Sequence, residues 1–563
     1  MVDDAVPVCG GNAFLRREVA CAVVCAIVGA IVFVPSLVAG YPLDDAFVAA
    51  AYDEASGVTR PLVGRFGSLG EYFSTHWWYG YYPATELFRP WTKLSYGLVH
   101  ALFGSAGRPA LAQHAVNLVV YGWVCALVAI TCWRVLRSPR AAWIGGLAFA
   151  VHALHAEAVC TLTGRAELFA FGFGLQGLLA LSLPRPVASA RQVSVPRSLL
   201  AGLCFFVAFC SKESALAWVP VGIAAALWRG DRRQLMSVVL ALLVAALLFF
   251  VLRARMIAGL PEPVPPANAF ANPLVALAAP DRIADAVKIV GFGVLQILLP
   301  LRLSVDYGTA VFEIGQGFAS MGFVLALLAF SLLWGGAVAV ARRQPFFVAA
   351  LFVHAAFVLP TANLVFPIGT IFGERLLFAP SFALPLALGA LVVVLEKRGF
   401  RPRVFVPLVV LWLAYSSGYS LHRASLFEST ATIAKHDVLV RPESANLQRL
   451  ASAAYVREGD RGSAIEALEA ACAIEPSFAA AWLNLAALVR EGGDASRAEE
   501  LLRQGLAVAD PRQVRERAML HASLATSLRL RGAIDEARQE LQKAIALAPA
   551  EASYRARLEA LGR

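Results

Sequence analysis

Tyr41-Pro42-Leu43-Asp44-Asp45 follows directly on the first long apolar run of the chain, which extends from about Val19 to Val38. A run of about 20 residues is long enough to cross a hydrocarbon core as one helix. Arg16 and Arg17 precede it and hold its start on the inner side. Asp44 and Asp45 therefore stand at the outer mouth of a membrane helix, where ionisable groups are costly. A solvated helix end, or an N-cap for the next helix, would also account for two carboxylates there. The rest of the chain tips the balance, because it delivers more charged residues to the same side.

The 563 residues are 59% hydrophobic and 16% charged. A soluble domain is roughly 45–50% apolar and about 25% charged. The composition therefore predicts an all-α, polytopic membrane helix bundle followed by a more polar C-terminal part. The net charge of +10 does not point to nucleic acid, since the excess sits in short Arg-rich loops between apolar runs. Nine cysteines are scattered, with neither metal-ligand spacing nor a disulfide framework. Arg16 and Arg17 before an apolar run resemble a signal peptide, but no clear cleavage site follows, so the run reads as a retained anchor.

A long outer loop runs from about Gly40 to Pro109. Its segment from Glu71 to Tyr82 includes Tyr72, Phe73, His76, Trp77, Trp78, Tyr79, Tyr81 and Tyr82. Aromatics this dense mark the headgroup level or form a platform for a sugar ring or prenyl chain. Arg89-Pro90-Trp91 opens an amphipathic, interfacial piece to Phe103. Further spans run from Leu111 to Trp133, Ala141 to Leu154, Ala166 to Leu183, Leu199 to Cys210, Ala215 to Trp228 and Leu235 to Val251. After a proline-rich outer loop, Leu260 to Pro280, they continue from Met321 to Val340, Phe346 to Phe366, Leu376 to Leu395 and Val404 to Ser417. Residues 284–300 read as re-entrant or interfacial. Basic groups such as Arg134, Arg137 and Arg140, or Arg185, Arg191 and Arg197, then fall on the inner side. About eleven spans result, an odd number, with a cytoplasmic N-terminus and an outer C-terminal part. The expected division is a membrane domain, 1–421, a linker, 422–443, and a repeat domain, 444–563.

The repeats are direct to read. Gly459, Gly493 and Gly532 each stand five residues before Ala464, Ala498 and Ala537; Leu468, Leu502 and Leu541 follow, and Pro476, Pro511 and Pro549 close the units. A glycine turn, a small residue where helices touch and a closing proline, recurring at about 34 residues, make the tetratricopeptide (TPR) pattern. Its concave face suits an extended peptide; a spacer or a dimer contact is the plainer alternative.

The topology collects a charged set outside: Asp44 and Asp45, His152, His155, Glu157, Arg165, Glu167, Lys212, Glu213, Asp306, Glu374 and Arg375. Any one could be a structural ion pair. As a set on one face they suit transfer from a phosphate-activated donor, with a carboxylate taking a hydroxyl proton and a cation stabilising the leaving phosphate. His152-x-x-His155-x-Glu157 does not have the ligand arrangement of zinc proteases.

In order along the chain, Tyr41-Pro42-Leu43-Asp44-Asp45, Phe88-Arg89-Pro90-Trp91-Thr92, His114-Ala115-Val116-Asn117, Phe149 to Val159, Gly164-Arg165-Ala166-Glu167, Ser211-Lys212-Glu213, Leu303 to Tyr307 and Asn363 to Arg375 resemble the transmembrane-and-TPR-containing O-mannosyltransferases and their bacterial relatives of the GT-C superfamily. The resemblance covers most of the chain. It implies an inverting glycosyltransferase at the outer face of a membrane, here a bacterial inner membrane, using a polyprenyl-phosphate sugar. Asp44 or Asp45 would be the catalytic base, or the pair would hold a divalent cation, magnesium or manganese. Arg89, His114, His155, Glu157, Arg165, Glu167, Lys212, Glu213, Asp306, Glu374 and Arg375 would line the donor site, with Arg89, Arg165, Lys212 and Arg375 as phosphate candidates. The TPR array would bind an acceptor protein. A lipid or glycan acceptor, and a membrane-anchored scaffold without chemistry, are the alternatives.

Overall fold

The computed structural model describes residues 11–53, 58–59, 61–81, 84–181, 195–229, 232–261, 271–308, 310–399, 402–511, 513–549 and 551–561. Tyr82, Arg185, Arg191 and residues 262–270 of the proline-rich loop lie outside them. Helices dominate, as the composition predicts. One short ribbon interrupts them in the loop after the first helix, where Tyr52–Asp53 pairs antiparallel with Val58–Thr59.

The first helix, Gly11–Val32, lies against Pro109–Leu136. Small residues set the approach. A methyl group on Gly29 would stand 2.7 Å from Cys125 Sγ, and one on Gly122 would stand 3.2 Å from the Ala26 carbonyl oxygen. Close contact of this kind holds a helix pair together through van der Waals packing. Pro139–Ala150 and Ala153–Cys160 meet at a bend of 45°. At the break His152 Nδ1 accepts the Leu154 N–H at 3.3 Å, while Nε2 meets the Ile297 carbonyl oxygen at 2.9 Å. Arg165–Leu181 then packs on Val195–Ser211.

The expectation of about eleven spans needs correction. Among the described residues four helices are long and apolar enough to cross a membrane: Pro109–Leu136, Arg232–Ala258, Met321–Val340 and Pro380–Lys397. The bent pair raises the number to five. Val195–Ser211, Glu213–Trp228 and Pro345–Thr361 are apolar but shorter. At about 1.5 Å per residue, the 17 residues of Val195–Ser211 reach about 26 Å, short of the ~30 Å core. Glu213–Ala217 and Glu374–Leu377 are both wound as 3-10 helix in place of continued α-helix. Residues 284–300 belong mostly to the helix Ala279–Leu298, whose first turns carry Asp281, Arg282, Asp285 and Lys288.

Residues 422–443, expected as a linker, are largely helical. Pro402–Leu426 runs into them and Thr430–Val440 fills most of the rest. Three helix pairs follow: Ala445–Arg457 with Arg461–Ile474, Ala479–Glu491 with Ala495–Val508, and Val514–Leu530 with Ile534–Leu547. Ala552–Ala560 closes the stack. Gly459, Gly493 and Gly532 sit at φ of +79°, +91° and +82°, the left-handed ends of the leading helices, where a side chain would be strained. Ala464, Ala498 and Ala537 are fully buried, with Leu468, Leu502 and Leu541 beside them.

Candidate functional site

The two adjacent aspartates have different surroundings. Leu43 takes a left-handed conformation, φ +54°, uncommon for a residue with a branched side chain. Its N–H donates to Thr430 Oγ1 at 2.8 Å, and the Gly40 N–H donates to the Glu428 carbonyl at 3.1 Å. This turn drives Asp45 inward. Asp45 is fully buried and accepts the N–H groups of Leu162 at 2.7 Å and Thr163 at 2.8 Å. Burial pushes its carboxyl up to about 7, against the pull of those two donors. Asp44 is half-buried and has no side-chain hydrogen bond or ion pair among the described residues.

Asp44 acts electrostatically on Arg375. That guanidinium is held above its ordinary pKa: burial opposes this, and Glu157, Asp44 and Glu167 together prevail. Glu157 is the clamp, accepting from the Arg375 backbone N–H at 2.8 Å and from Nη1 at 2.7 Å. Nε and Nη2 make no hydrogen bond among the described residues, and the side chain is 33% exposed. Lys212 pairs with Glu167, both buried. Burial lowers the Lys212 ammonium, with Glu167 opposing. Arg89 Nε pairs with Glu213 at 3.1 Å and lies over the Trp77 ring at 5.1 Å; the same carboxylate accepts the Phe88 N–H at 2.6 Å. Asp44, Glu157, Glu167, Lys212, Arg375, Arg89 and Glu213 thus form one electrostatically coupled group.

Other expected site residues serve elsewhere. Arg165 is fully buried and spent on Asn117 Oδ1 at 2.7 Å, the Gln113 carbonyl at 2.7 Å and Ser95 Oγ at 3.1 Å, over the Tyr96 ring. Each of its three nitrogens is already engaged and the side chain has no exposed surface to offer a phosphate. His155 sits between Tyr121 Oη at 2.9 Å and Ser381 Oγ at 2.8 Å. His114 Nε2 meets the Gly40 carbonyl at 2.9 Å, which anchors the turn before Asp44. Asp306 faces the repeat domain, accepting from Ser444 Oγ at 2.5 Å and Asn446 Nδ2 at 3.2 Å. Glu374 is fully buried and accepts from the Ser304 N–H at 2.5 Å and Tyr307 Oη at 2.6 Å. The expected cation between Asp44 and Asp45 does not fit this geometry, because both Asp45 oxygens are committed to backbone donors. Among the described residues no three of His, Cys, Asp and Glu are grouped for a metal.

Two features escaped the sequence reading. Lys93 is buried and donates to the Thr75 carbonyl at 2.6 Å and the His76 carbonyl at 3.0 Å, fixing the aromatic segment; burial lowers its ammonium to about 7. Arg423 and Asp437 form a buried bidentate pair, at 2.5 and 2.9 Å, with Asp437 also accepting the Val305 N–H at 2.8 Å. An arginine ending a long apolar helix, with an aspartate on the next helix, was the available signal. The aromatic segment also borders a cleft of about 400 Å³ lined by Thr75, His76, Tyr79, Tyr81, Met256 and Leu260. None of the charged group lines it; Tyr81 stacks on Phe47, 4.3 Å away.

Fold and site define a helical membrane protein with a cluster of coupled charges and a C-terminal TPR array. The tetratricopeptide repeat family model matches residues 455–524. The chain is similar to Protein O-mannosyl-transferase TMTC3 of Mus musculus, 25% identical over 71% of this chain and 45% of that protein. It is similar also to Protein O-mannosyl-transferase TMTC3 of Homo sapiens, 23% identical over 73% of this chain and 47% of that protein. A third relative is Protein O-mannosyl-transferase F38B6.6 of Caenorhabditis elegans, 24% identical over 58% of this chain and 46% of that protein. The chain spans about half the length of the curated relatives it matches.

Proposed function

We propose that this chain is a glycosyltransferase that moves a mannose-like sugar from a polyprenyl-phosphate donor to a hydroxyl, a Ser or Thr of an acceptor protein, at the outer face of a bacterial inner membrane. The observation that carries the reading is the asymmetry of the aspartates: Asp44 is uncommitted and shares its field with the partly exposed Arg375. In this reading Asp44 takes the acceptor hydroxyl proton as the oxygen attacks the anomeric carbon. The bond from that carbon to the phosphate oxygen breaks with inversion, and Arg375 stabilises the departing phosphate through its remaining N–H groups. Glu157 holds Arg375 in place. Asp45 positions the loop and takes no part in the proton transfer. No step runs through a cation. The TPR array presents the acceptor. The names of the relatives support the sugar and the protein acceptor.

The test is transfer of radiolabelled sugar from a polyprenyl-phosphate donor to envelope material, with and without EDTA. Asp44→Asn should lower transfer by roughly 10²–10⁴ while leaving the melting temperature unchanged. Retained transfer in that variant would remove Asp44 from the mechanism. No transfer with any donor, from protein shown to be folded, would return the chain to a scaffold role.

A further inference from the structure

The stretch from Arg302 to Gly308 stands outside the charged group around Arg375 and runs as irregular chain between the membrane part and the repeats. Its residues turn alternately to the two sides. Towards the membrane part, Glu374 Oε1 accepts the Ser304 N–H at 2.5 Å and the Tyr307 hydroxyl at 2.6 Å. Leu303 packs with Leu377 and Leu384, and the Tyr307 ring meets Phe372 edge-on at 4.7 Å. Towards the C-terminal part, Arg302 Nη2 donates to the Val440 carbonyl at 2.9 Å, and the Val305 N–H donates to Asp437 at 2.8 Å. Asp306 takes the Ser444 hydroxyl at 2.5 Å on one oxygen and Asn446 Nδ2 at 3.2 Å on the other. Ser444 is the N-cap of Ala445–Arg457, the first repeat helix, and its Oγ also accepts the Leu447 N–H at 3.1 Å. Gly308 ends the stretch at φ +43°, where a methyl group would stand 3.2 Å from Ser444 Cα. The strap is thus pressed onto the start of the repeats on one side and bonded to the residue before Arg375 on the other.

Arg375 rides on a single 3-10 turn, Glu374–Leu377. So short a turn has little internal hydrogen bonding to fix its place. It is gripped from outside at two points. Glu157 accepts from the Arg375 N–H and from its guanidinium, and the strap holds Glu374. Arg441, from the C-terminal part, lies over the Tyr307 ring at 5.2 Å and backs the second grip. With Glu157 alone the turn would be free to pivot, carrying the remaining Arg375 donors with it. A misplacement of about 1 Å at a reacting centre costs on the order of 10²-fold in rate.

We infer that Asp306 and Tyr307 are positioning residues for Arg375, and that the strap 302–308 makes the first repeat helix part of the scaffold for the transfer step. The array would then be needed for turnover itself, in addition to presenting an acceptor. The positioning role rests on the proposed sugar transfer; the mechanical coupling does not, and the two are measured separately.

Coupling is read by hydrogen–deuterium exchange with mass spectrometry on the detergent-purified full chain. Asp306→Ala cuts the strap from Ser444 and Asn446 and leaves Glu374 untouched. It should speed exchange over 372–378 at least about tenfold, while the Leu162 and Thr163 amides, bound to Asp45, exchange as in the wild type. Asp306→Asn keeps an acceptor for Ser444 and should restore most of the protection. Positioning is read by transfer of radiolabelled sugar from a polyprenyl-phosphate donor to envelope material. Tyr307→Phe keeps the ring and removes only the donor to Glu374. It should lower kcat at least about tenfold with the donor KM within about twofold. Arg538→Gln, on an exposed pair of the third unit, should leave both readouts unchanged. Unchanged exchange over 372–378 in Asp306→Ala, or an equal rise at Leu162 and Thr163, overturns the coupling. An unchanged kcat in Tyr307→Phe, where Arg375→Gln loses transfer, overturns the positioning role. A folded wild type that transfers no sugar would sink the proposed function, and exchange over 372–378 would still decide the coupling.

Discussion

Two groups of charges are built from the same residue types, one around Asp44 and Arg375 and one around Arg423 and Asp437. Around Asp44, Arg375 is 33% exposed, one carboxylate lacks a partner, and the group extends by pairs across several helices. Around Arg423 the side chains are 1% and 0% exposed, and the Asp437 oxygens are filled by Arg423, His436 and the Val305 N–H. Burial works against ionised Asp437, but His436 and Arg423 outweigh it and hold the carboxyl below its ordinary range. A pair taken wholly out of water fastens two segments, here the end of the membrane part to the first helix of the C-terminal part. Charges that keep some access to solvent can meet a substrate. Exposure and unfilled valence, more than residue type, separate the group proposed to react from the fastener.

The strongest way to break this comparison is Asp437→Ala. Removing one partner of a buried pair leaves an uncompensated charge and costs about 3–5 kcal/mol. Thermal melting in mild detergent should show the loss, and limited proteolysis should open 426–444 first. Arg375→Gln is the counterpart. It should lower transfer by roughly 10²–10³, as for loss of a group stabilising developing charge, while costing less stability than Asp437→Ala, because the Arg375 side chain is partly exposed and Glu157 keeps the backbone N–H of position 375. Equal losses of stability in the two variants would erase the distinction between the groups.

How much of this was legible follows from range. The repeat pattern is local, and Gly459, Gly493 and Gly532 stand where the spacing puts them, with Ala464, Ala498 and Ala537 buried. Helix ends in the membrane part are not local. Hydropathy counts apolar residues and does not reveal that Glu213 and Glu374 open 3-10 turns in place of spanning helix. Asp44 and Asp45 were indistinguishable in sequence because what separates them is a turn 117 residues away, which binds only one. Arg165 and Arg375 looked alike for the same reason. Asn117, Gln113 and Ser95 engage every nitrogen of the first, which is fully buried, and a single carboxylate holds the second, which is partly exposed.

Glu374 joins the two groups and gives the smallest effect. It precedes Arg375, and its Oε1 is filled by Ser304 and Tyr307 while Oε2 is buried without a partner. Burial, with Arg423 opposing, pushes the carboxyl from 4.5 up to about 8. Between those values the folded chain holds a proton that the unfolded chain has released, so stability falls as pH rises. The contribution is complete below about 4.5 and is lost by the time pH passes about 8. Glu374→Gln keeps the acceptor for Ser304 and Tyr307 and carries no titrating proton. Melting curves from pH 5 to 9 should therefore be steeper for the wild type than for the variant over that window. Parallel curves would mean that Glu374 is ionised throughout, and that the fastening group tolerates an uncompensated charge, which the comparison with Asp44 denies.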